Sequence, residues 1–335
     1  MKTEQEYGKS ASIKITRESG IPLMGHIAFG VIERSGNNII QVRATTVCNM
    51  RCEFCSTSAN DTKKHPVNYI VDIDYLVEWV KEVAKIKGDN LQIFLDSVGD
   101  PLTHPDFVEL VAKLRKIPQI SDIITVTNGT LLTKEKIDAL EKAGLTRVNI
   151  SIHSLDKERS RWLFGSKYYD IEKVIESIRY IAQTRIKVML TPVLIHNIND
   201  NDVEEIIKLA KEIGCLIGIQ NYEIYKYGRK IKKGKPVTYW NFYKQVKEWE
   251  KKYNLPLQVQ KEMFGIEKRP KLKTDINVGE RINVRILAEG WMKDQRIAAY
   301  KNRCLTINHC AAKVNDKVNA KITETKNNII LAEQV

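Results

Sequence analysis

No stretch of this sequence stays apolar for the roughly 18 residues that a membrane-spanning helix needs, so no membrane partner is expected. The N-terminus, MKTEQEYGKSASIK, has no apolar segment of the kind that directs secretion, and a cytoplasmic address is expected. Cysteine is scarce and unevenly placed. Of six in 335 residues, Cys48, Cys52 and Cys55 fall within eight positions, and the others are Cys215, Cys304 and Cys310. A disulfide scaffold spreads its cysteines through a short secreted chain, so a tight trio reads as a metal or cluster site. Acid is also short, with 41 Asp and Glu against 54 Lys and Arg.

The resulting net charge of +13 is concentrated. Residues Lys226 to Asp275 carry fifteen basic groups and five acids, which is +10 in fifty residues. Such a stretch suits a polyanion, most simply a nucleic acid. The alternative is a solvated lysine-rich face.

The middle of the chain alternates strand and helix patterns. IIQVRAT (39–45), LQIFL (91–95), DIITVTN (122–128), TRVNISI (146–152), IKVMLTPVLI (186–195) and CLIGIQNYE (215–223) read as strands. Helical spacing lies between them, for instance Val71, Leu76, Trp79, Val80, Val83 and Ile86, with Asp72 or Asp74 able to cap and Gly88 able to stop the helix. Alternation of this kind predicts an α/β fold with a parallel sheet. Six units suit a partial (βα)6 barrel with its chemistry at the C-terminal strand ends, and an open doubly wound sheet is the alternative. Residues 12–34 read as short strands with glycine turns. Residues 276–333 read as short strands separated by Gly, Asn and Asp turns, as in a small all-β barrel of OB type. The expected divisions are an N-terminal β extension (1–35), the α/β barrel (36–225), a basic connecting segment (226–270) and the small β-barrel (271–335).

TTVCNMRCEFCSTSAN, just after the first strand of the series, holds a C-x3-C-x2-C motif. Three thiolates can bind three irons of a [4Fe–4S] cluster and leave the fourth open to the amino and carboxylate groups of a small molecule. A structural zinc site is the alternative, but zinc wants four ligands, and the fourth would have to be remote, such as His65. The motif, with Phe54 before its last cysteine, resembles the radical S-adenosylmethionine (SAM) superfamily over roughly 36–225. The resemblance implies that Cys48, Cys52 and Cys55 hold the cluster. It implies that SAM on the open iron is cleaved reductively to methionine and a 5′-deoxyadenosyl radical, with an electron from ferredoxin or flavodoxin. Gly99-Asp100-Pro101 resembles the family's Gly-Gly-Glu-Pro segment, whose backbone holds the SAM amino group, although Val98 and Asp100 depart from it. Thr127 and Asn128, Ser151 and His153, and Asn197 end the next three strands and are the further expected SAM contacts. A strand histidine such as His153 is also an ordinary structural residue. The sequence names no catalytic side chain.

The C-terminal segments INVGERINVRIL, RIAAYKNRCLTI and NDKVNAKITETKNNIILAE resemble a TRAM domain, the small barrel of tRNA-modifying enzymes. That resemblance implies a tRNA partner, with Lys293, Arg296, Lys301 and Arg303 on phosphates and Tyr300 available for stacking. The barrel is expected to be a separable module whose removal leaves the cluster intact. Methylthiotransferases also join these two modules, but they carry three more cysteines ahead of the barrel, and no cysteine precedes Cys48 here. The expected activity is therefore C-methylation or another radical carbon modification of an anticodon-loop nucleoside, with threonylcarbamoyladenosine as the candidate. A methylthiotransferase, an enzyme acting on a peptide or small metabolite, and a non-catalytic iron–sulfur RNA-binding protein are the alternatives. Cys304 and Cys310 are expected to pack in the barrel, the alternative being a methyl carrier or hydrogen-atom shuttle.

Overall fold

The structure is a computed structural model that describes residues 10–33, 36–258 and 261–335. Residues 1–9 and 34–35 of the expected N-terminal extension, and 259–260 of the basic segment, lie outside the described residues. The chain forms two compact units. The first comprises Met1–Asn49, Asn60–Ile123 and Glu267–Val335, and the second comprises Met50–Ala59 and Ile124–Ile266. Among the described residues no helix is long and apolar enough to cross a membrane.

The first unit opens with β1 (Ala11–Ile15), β2 (Gly30–Ile32), β3 (Ile39–Arg43), β4 (Val67–Val71), α1 (Ile73–Lys87), β5 (Leu91–Leu95) and α2 (Phe107–Arg115). β3 pairs parallel with β5 and antiparallel with β2, while β1 and β4 form a separate parallel pair. The Asp72 carboxylate caps α1 by accepting from the Tyr75 N–H, and Leu76, Val77, Val80, Val83 and Ala84 form its buried stripe.

The second unit contains β6 (Ile120–Thr127, which begins in the first), α3 (Lys134–Ala143), β7 (Arg147–Ile150), α4 (Lys157–Phe164), α5 (Ile171–Ile181), β8 (Lys187–Leu190) and β9 (Val193–Leu194). It continues through α6 (Asp200–Ile213), β10 (Leu216–Ile217), β11 (Gln220–Asn221) and α7 (Tyr239–Tyr253). β6, β7, β8 and β10 pair in parallel, as do β9 and β11. The last two expected strands are each broken. Pro192 has no N–H for the ladder, so β8 stops before it and β9 resumes after it, with a matching break between β10 and β11. The helices α4 and α7 were not expected from the sequence.

The C-terminal part of the first unit is a closed barrel. Its strands are β12 (Arg281–Glu289), β13 (Arg296–Tyr300), β14 (Arg303–Asn308), β15 (Lys317–Glu324) and β16 (Ile330–Gln334), ordered β12-β13-β14-β16-β15. β14 and β16 run parallel, and the other neighbours run antiparallel. Alternation along β12 and β15 turns Ile282, Val284, Ile286, Val318, Ala320 and Ile322 into the core, where Cys310 is packed too.

This barrel is not the loosely attached module the sequence suggested. The Cys304 N–H donates to the Met24 carbonyl at 2.7 Å, and the Ile330 N–H to that of Gly25 at 2.8 Å. Gly25, at φ +123°, has no room for a side chain, because a Cβ would lie 2.2 Å from the Cys304 carbonyl oxygen. A fully buried Lys87–Glu33 pair at 3.2 Å ties the end of α1 to the chain after β2, and Lys87 also donates to the Pro270 carbonyl. Glu33 in turn accepts from the Leu272 N–H at 3.3 Å, at the entry to the barrel.

Candidate active site

The three clustered cysteines lie on the chain where it passes between the units, with Cys48 in the first and Cys52 and Cys55 in the second. All three are partly exposed thiols outside any disulfide, whereas Cys304 and Cys310 are buried. Burial raises the Cys304 thiol far above its usual range and Cys215 to about 11, which keeps both protonated at neutral pH.

In the first unit, the approach to Cys48 is held along its backbone. The Thr46 hydroxyl accepts from the Tyr69 N–H at 2.9 Å, and the Thr46 N–H donates to the Tyr69 carbonyl at 3.0 Å. The Cys48 carbonyl accepts from Asn60 Nδ2 at 2.8 Å. The segment after β5 lies directly against this chain. The Asp100 N–H donates to the Val47 carbonyl at 2.9 Å, and the Thr103 hydroxyl does so at 3.0 Å. A Cβ on Gly99 would sit 2.1 Å from that same oxygen. Only glycine permits the approach. The Asp100 carboxylate faces the other way and caps a short 3-10 turn at the Leu102 N–H, with Pro101 buried at that turn's first position. The expected role of this segment needs backbone groups, so a structural use of the Asp100 carboxylate is compatible with it.

In the second unit, the Cys52–Cys55 loop is gripped from two sides. The Arg51 and Glu53 N–H groups donate to the Phe164 and Leu163 carbonyls at 3.0 Å each, and Gly165 passes so close to Arg51 that no Cβ fits. From the opposite side comes Arg229, which sequence reasoning missed. Its Nε donates to the Cys52 carbonyl at 2.7 Å, one terminal nitrogen to the Ala59 carbonyl at 2.8 Å, and its backbone N–H to the Cys55 carbonyl at 2.8 Å. Its other terminal nitrogen is buried with no hydrogen-bond partner. No local pattern marks Arg229 among the surrounding lysines, because its role depends on a contact 177 residues away.

Phe54 packs its ring edge-on against His153, 4.7 Å between centroids, and against a small cluster of Leu163, Ile195, Tyr222 and Ile231. His153 is buried, and its Nδ1 accepts from the Val193 N–H at 3.1 Å. Burial lowers its pKa to about 3, so the ring is neutral with its proton on Nε2. His153 thus serves as the backing of Phe54, and its Nδ1 is taken by the fold. The Thr127 hydroxyl accepts from the Gly129 N–H, and the Asn128 side chain accepts from the Thr130 N–H and hydroxyl, so both shape the turn after β6. Ser151 is half-buried beside them, its N–H on the Thr127 carbonyl. Asn197 is exposed at φ +67°, its N–H bound to Asp200 at 2.7 Å.

Two further polar groups were missed. Asn149 Oδ1 on β7 and Thr191 Oγ1 just beyond β8 are buried with no hydrogen-bond partner. A buried oxygen left unpaired by the fold is costly unless a bound molecule supplies the donor. By the chemistry of the donor set, three accessible thiols suit a three-thiolate cluster, while among the described residues no three His, Cys, Asp or Glu side chains are gathered around a metal position. A zinc tetrad does not fit as well. His65 is buried, stacked on Trp291 at 4.1 Å with its Nδ1 at 3.2 Å from the Trp291 carbonyl.

The expected RNA contacts on the barrel are mostly spent internally. Arg296 donates to the Ala312 and Gln295 carbonyls. Tyr300 and Lys301 both bind Glu280, and the bonds from Tyr300, the Asn277 N–H and Lys301 lower the pKa of its carboxyl to about 2. Arg303 is half-buried and reaches the Asn302 carbonyl. Of the five, Lys293 is the one with an exposed side chain that has no partner among the described residues.

The sequence pattern of the radical SAM superfamily matches residues 42–210. An uncharacterized protein of Methanocaldococcus jannaschii is 34% identical over an alignment of 343 positions, covering 94% of this chain and 79% of that one. The GTP 3′,8-cyclase of Aquifex aeolicus is 28% identical over 184 positions, 55% of this chain and 56% of the cyclase. That of Clostridium perfringens is 30% identical over 173, covering 52% of this chain and 51% of the cyclase. The chain thus spans about half the length of the cyclases it matches. Among solved structures, Streptococcus suis SuiB bound to S-adenosylmethionine superposes with a TM-score of 0.52 at 17% identity, over 71% of this chain and 49% of that one. At that identity the likeness concerns the α/β fold alone.

Proposed function

Given that the chain belongs to the radical SAM superfamily, whose members bind a [4Fe–4S] cluster and S-adenosylmethionine, we propose that it modifies a carbon of a tRNA nucleoside. The candidate reaction is C-methylation or a related radical modification in the anticodon loop, with threonylcarbamoyladenosine as candidate substrate. When bound, the cluster supplies the electron that cleaves SAM and so generates the hydrogen-abstracting radical. Cys48, Cys52 and Cys55 are the thiolates that would hold the cluster, and the backbone of Gly99–Pro101 would orient the SAM amino group. Asn149 and Thr191 offer acceptor oxygens at the strand ends, and Phe54 backed by His153 walls the loop.

The observation that carries the enzyme reading is the lock between Gly99–Asp100 and Val47, which puts the SAM-type segment against the chain leading into Cys48. The tRNA reading draws support from the basic stretch at 226–275 and from the barrel. The closed five-stranded order β12-β13-β14-β16-β15, with β14 and β16 parallel, supports reading the barrel as OB-type and TRAM-like.

A second reading comes from the cyclases, whose name gives GTP as the substrate. One experiment separates the two. Reduced, reconstituted protein is given SAM with either tRNA or GTP, and 5′-deoxyadenosine and the digested nucleosides are measured by mass spectrometry. A mass change in a tRNA nucleoside supports the proposal. Consumption of GTP with tRNA untouched would replace it with the second reading.

A further inference from the structure

The basic stretch contains a feature that neither the cluster site nor the barrel uses. From Ile224 to Lys247 the second unit carries seven lysines and Arg229 with no acidic residue. Among the described residues, Lys226, Lys230, Lys232, Lys233, Lys235, Lys244 and Lys247 are all exposed and make no ion pair. Interleaved with them are Tyr225 (49% exposed), Tyr227 (48%), Tyr239 (56%), Trp240 (79%) and Tyr243 (50%).

The exposure does not come from a poorly packed helix. α7 buries Phe242, Val246 and Trp249 at i, i+4 and i+7, so its inward face is complete. Tyr239, Trp240 and Tyr243 form a second aromatic face turned to solvent, with Tyr239 and Tyr243 stacked at 6.2 Å. The loop before the helix is anchored too, because Ile231 is buried against Leu163, Ile195 and Tyr222. Five large aromatic rings, about half-exposed or more, stand beside seven lysines that form no ion pair among the described residues. The Tyr225 and Tyr239 hydroxyls donate to the Glu223 carboxylate at the edge of the strip and Lys226 lies over the Tyr227 ring at 5.0 Å, so the apolar area left to solvent is greatest at Trp240.

We propose that this face is a stacking platform for a single-stranded segment of RNA. Bases stack on exposed Tyr and Trp rings while lysines follow the phosphates, the combination found in sequence-tolerant single-strand binding. Charge complementarity selects a polyanion, and flat rings spaced along the strip select unstacked bases over a duplex. The strip also leads to the candidate site, since the Tyr227 carbonyl accepts from Ser58 Oγ at 2.6 Å and the next residues are Gly228 and Arg229, which contact the Cys52–Cys55 loop. A strand lying on the strip would be led toward the reacting centre. The inference rests on the tRNA reading and gives it an anchor other than the barrel residues Lys301 and Arg303.

The test uses the full-length reconstituted protein and a fluorescent, unstructured RNA of about twelve nucleotides, within the span such sites cover. Trp240→Ala and Tyr243→Ala should each weaken binding by roughly five- to a hundred-fold. Lys232→Gln with Lys233→Gln should reduce the slope of log affinity against log salt by about 0.7 per lysine. Iron content and tRNA-independent 5′-deoxyadenosine formation should not change in any of these variants. If the variants bind both the oligonucleotide and tRNA as the parent does, the platform is wrong while an RNA substrate stands. If the parent binds neither RNA, the tRNA reading fails as well. If Trp240 instead governs binding to vesicles containing phosphatidylserine, the strip is a membrane contact and the proposal is overturned.

Discussion

Replacing Gly99 with alanine adds a single methyl group and should disable the protein. Gly99 is not in the left-handed region, so its backbone tolerates any residue and the effect is purely steric. The new Cβ would lie 2.1 Å from the Val47 oxygen, 2.5 Å from its carbonyl carbon and 2.6 Å from the Thr46 oxygen. Both chains meet there through backbone, so one must retreat by about 1 Å to reach an ordinary contact. That movement stretches the Asp100 N–H and Thr103 hydroxyl bonds to Val47, now 2.9 and 3.0 Å, beyond useful length. Two lost bonds at about 1 kcal/mol each, with strain of about 1–3 kcal/mol, give a destabilisation of about 3–5 kcal/mol. Gly214→Ala is the control. At φ +74° with nothing within 4 Å, it should cost only the left-handed penalty of about 1 kcal/mol. Urea unfolding of the apo-protein measures the stability, and 5′-deoxyadenosine formation after reconstitution measures the site. A Gly99→Ala protein with the parent's unfolding midpoint and SAM cleavage would refute both the steric argument and the role assigned to the segment.

Arg229→Ala removes two charge-assisted bonds to the Cys52 and Ala59 carbonyls and should loosen the loop by about 3 kcal/mol, read as faster iron loss to a chelator. Arg229→Lys should fare little better, because an ammonium cannot reproduce the fork. Thr191→Val should leave the unfolding midpoint unchanged or raised, since it deletes an unpaired buried hydroxyl, yet weaken SAM binding measured by calorimetry; parental affinity would remove Thr191 from the site. Burial lowers His26 and His153 to about 3, so both stay neutral in the fold while the unfolded chain takes up protons near pH 6.5. Their stabilisation is present above that pH and is lost as pH falls toward 3. Apo-protein stability should drop by up to about 2 kcal/mol per histidine between pH 6.5 and 5, and a flat urea midpoint over that range would contradict their burial as neutral rings.

The α/β part was legible because its signals are local. Asp72 and Gly88 bracket α1, and β3, β5, β6 and β7 are apolar runs ended by polar turns, which nearest neighbours alone can reveal. α7 escaped notice because its lysine-rich sequence reads first as a charge run, although Phe242, Val246 and Trp249 carry a helical stripe. The site was legible in its thiols and glycine, whose spacing is chemical. The contacts of Arg229 and the unpaired oxygens of Asn149 and Thr191 were not, because each depends on what distant parts of the chain present to them. The internal partners of the barrel cations were hidden for the same reason. Lys301 looks available in a list of charges but binds Glu280, and Arg303 is half-buried with a terminal nitrogen on the Asn302 carbonyl.

The depth to which the barrel is built into the first unit decides how an RNA anchor can be located. Tyr69 is fully buried, and its hydroxyl donates to the Glu289 carbonyl at 2.5 Å at the end of β12. The same residue's N–H and carbonyl hold Thr46, two positions before Cys48. Removing 271–335 would strip that hydroxyl of its partner, at about 1–3 kcal/mol, and would also uncover Met24, Gly25 and the Lys87–Glu33 pair. A truncated protein that lost RNA binding would have lost the support of the Cys48 approach as well, so the loss would say nothing about where RNA sits. Trp240 and Tyr243 have no such entanglement. Their rings stand in solvent on a helix whose inward face is complete without them, so substitutions there can separate RNA affinity from cluster assembly.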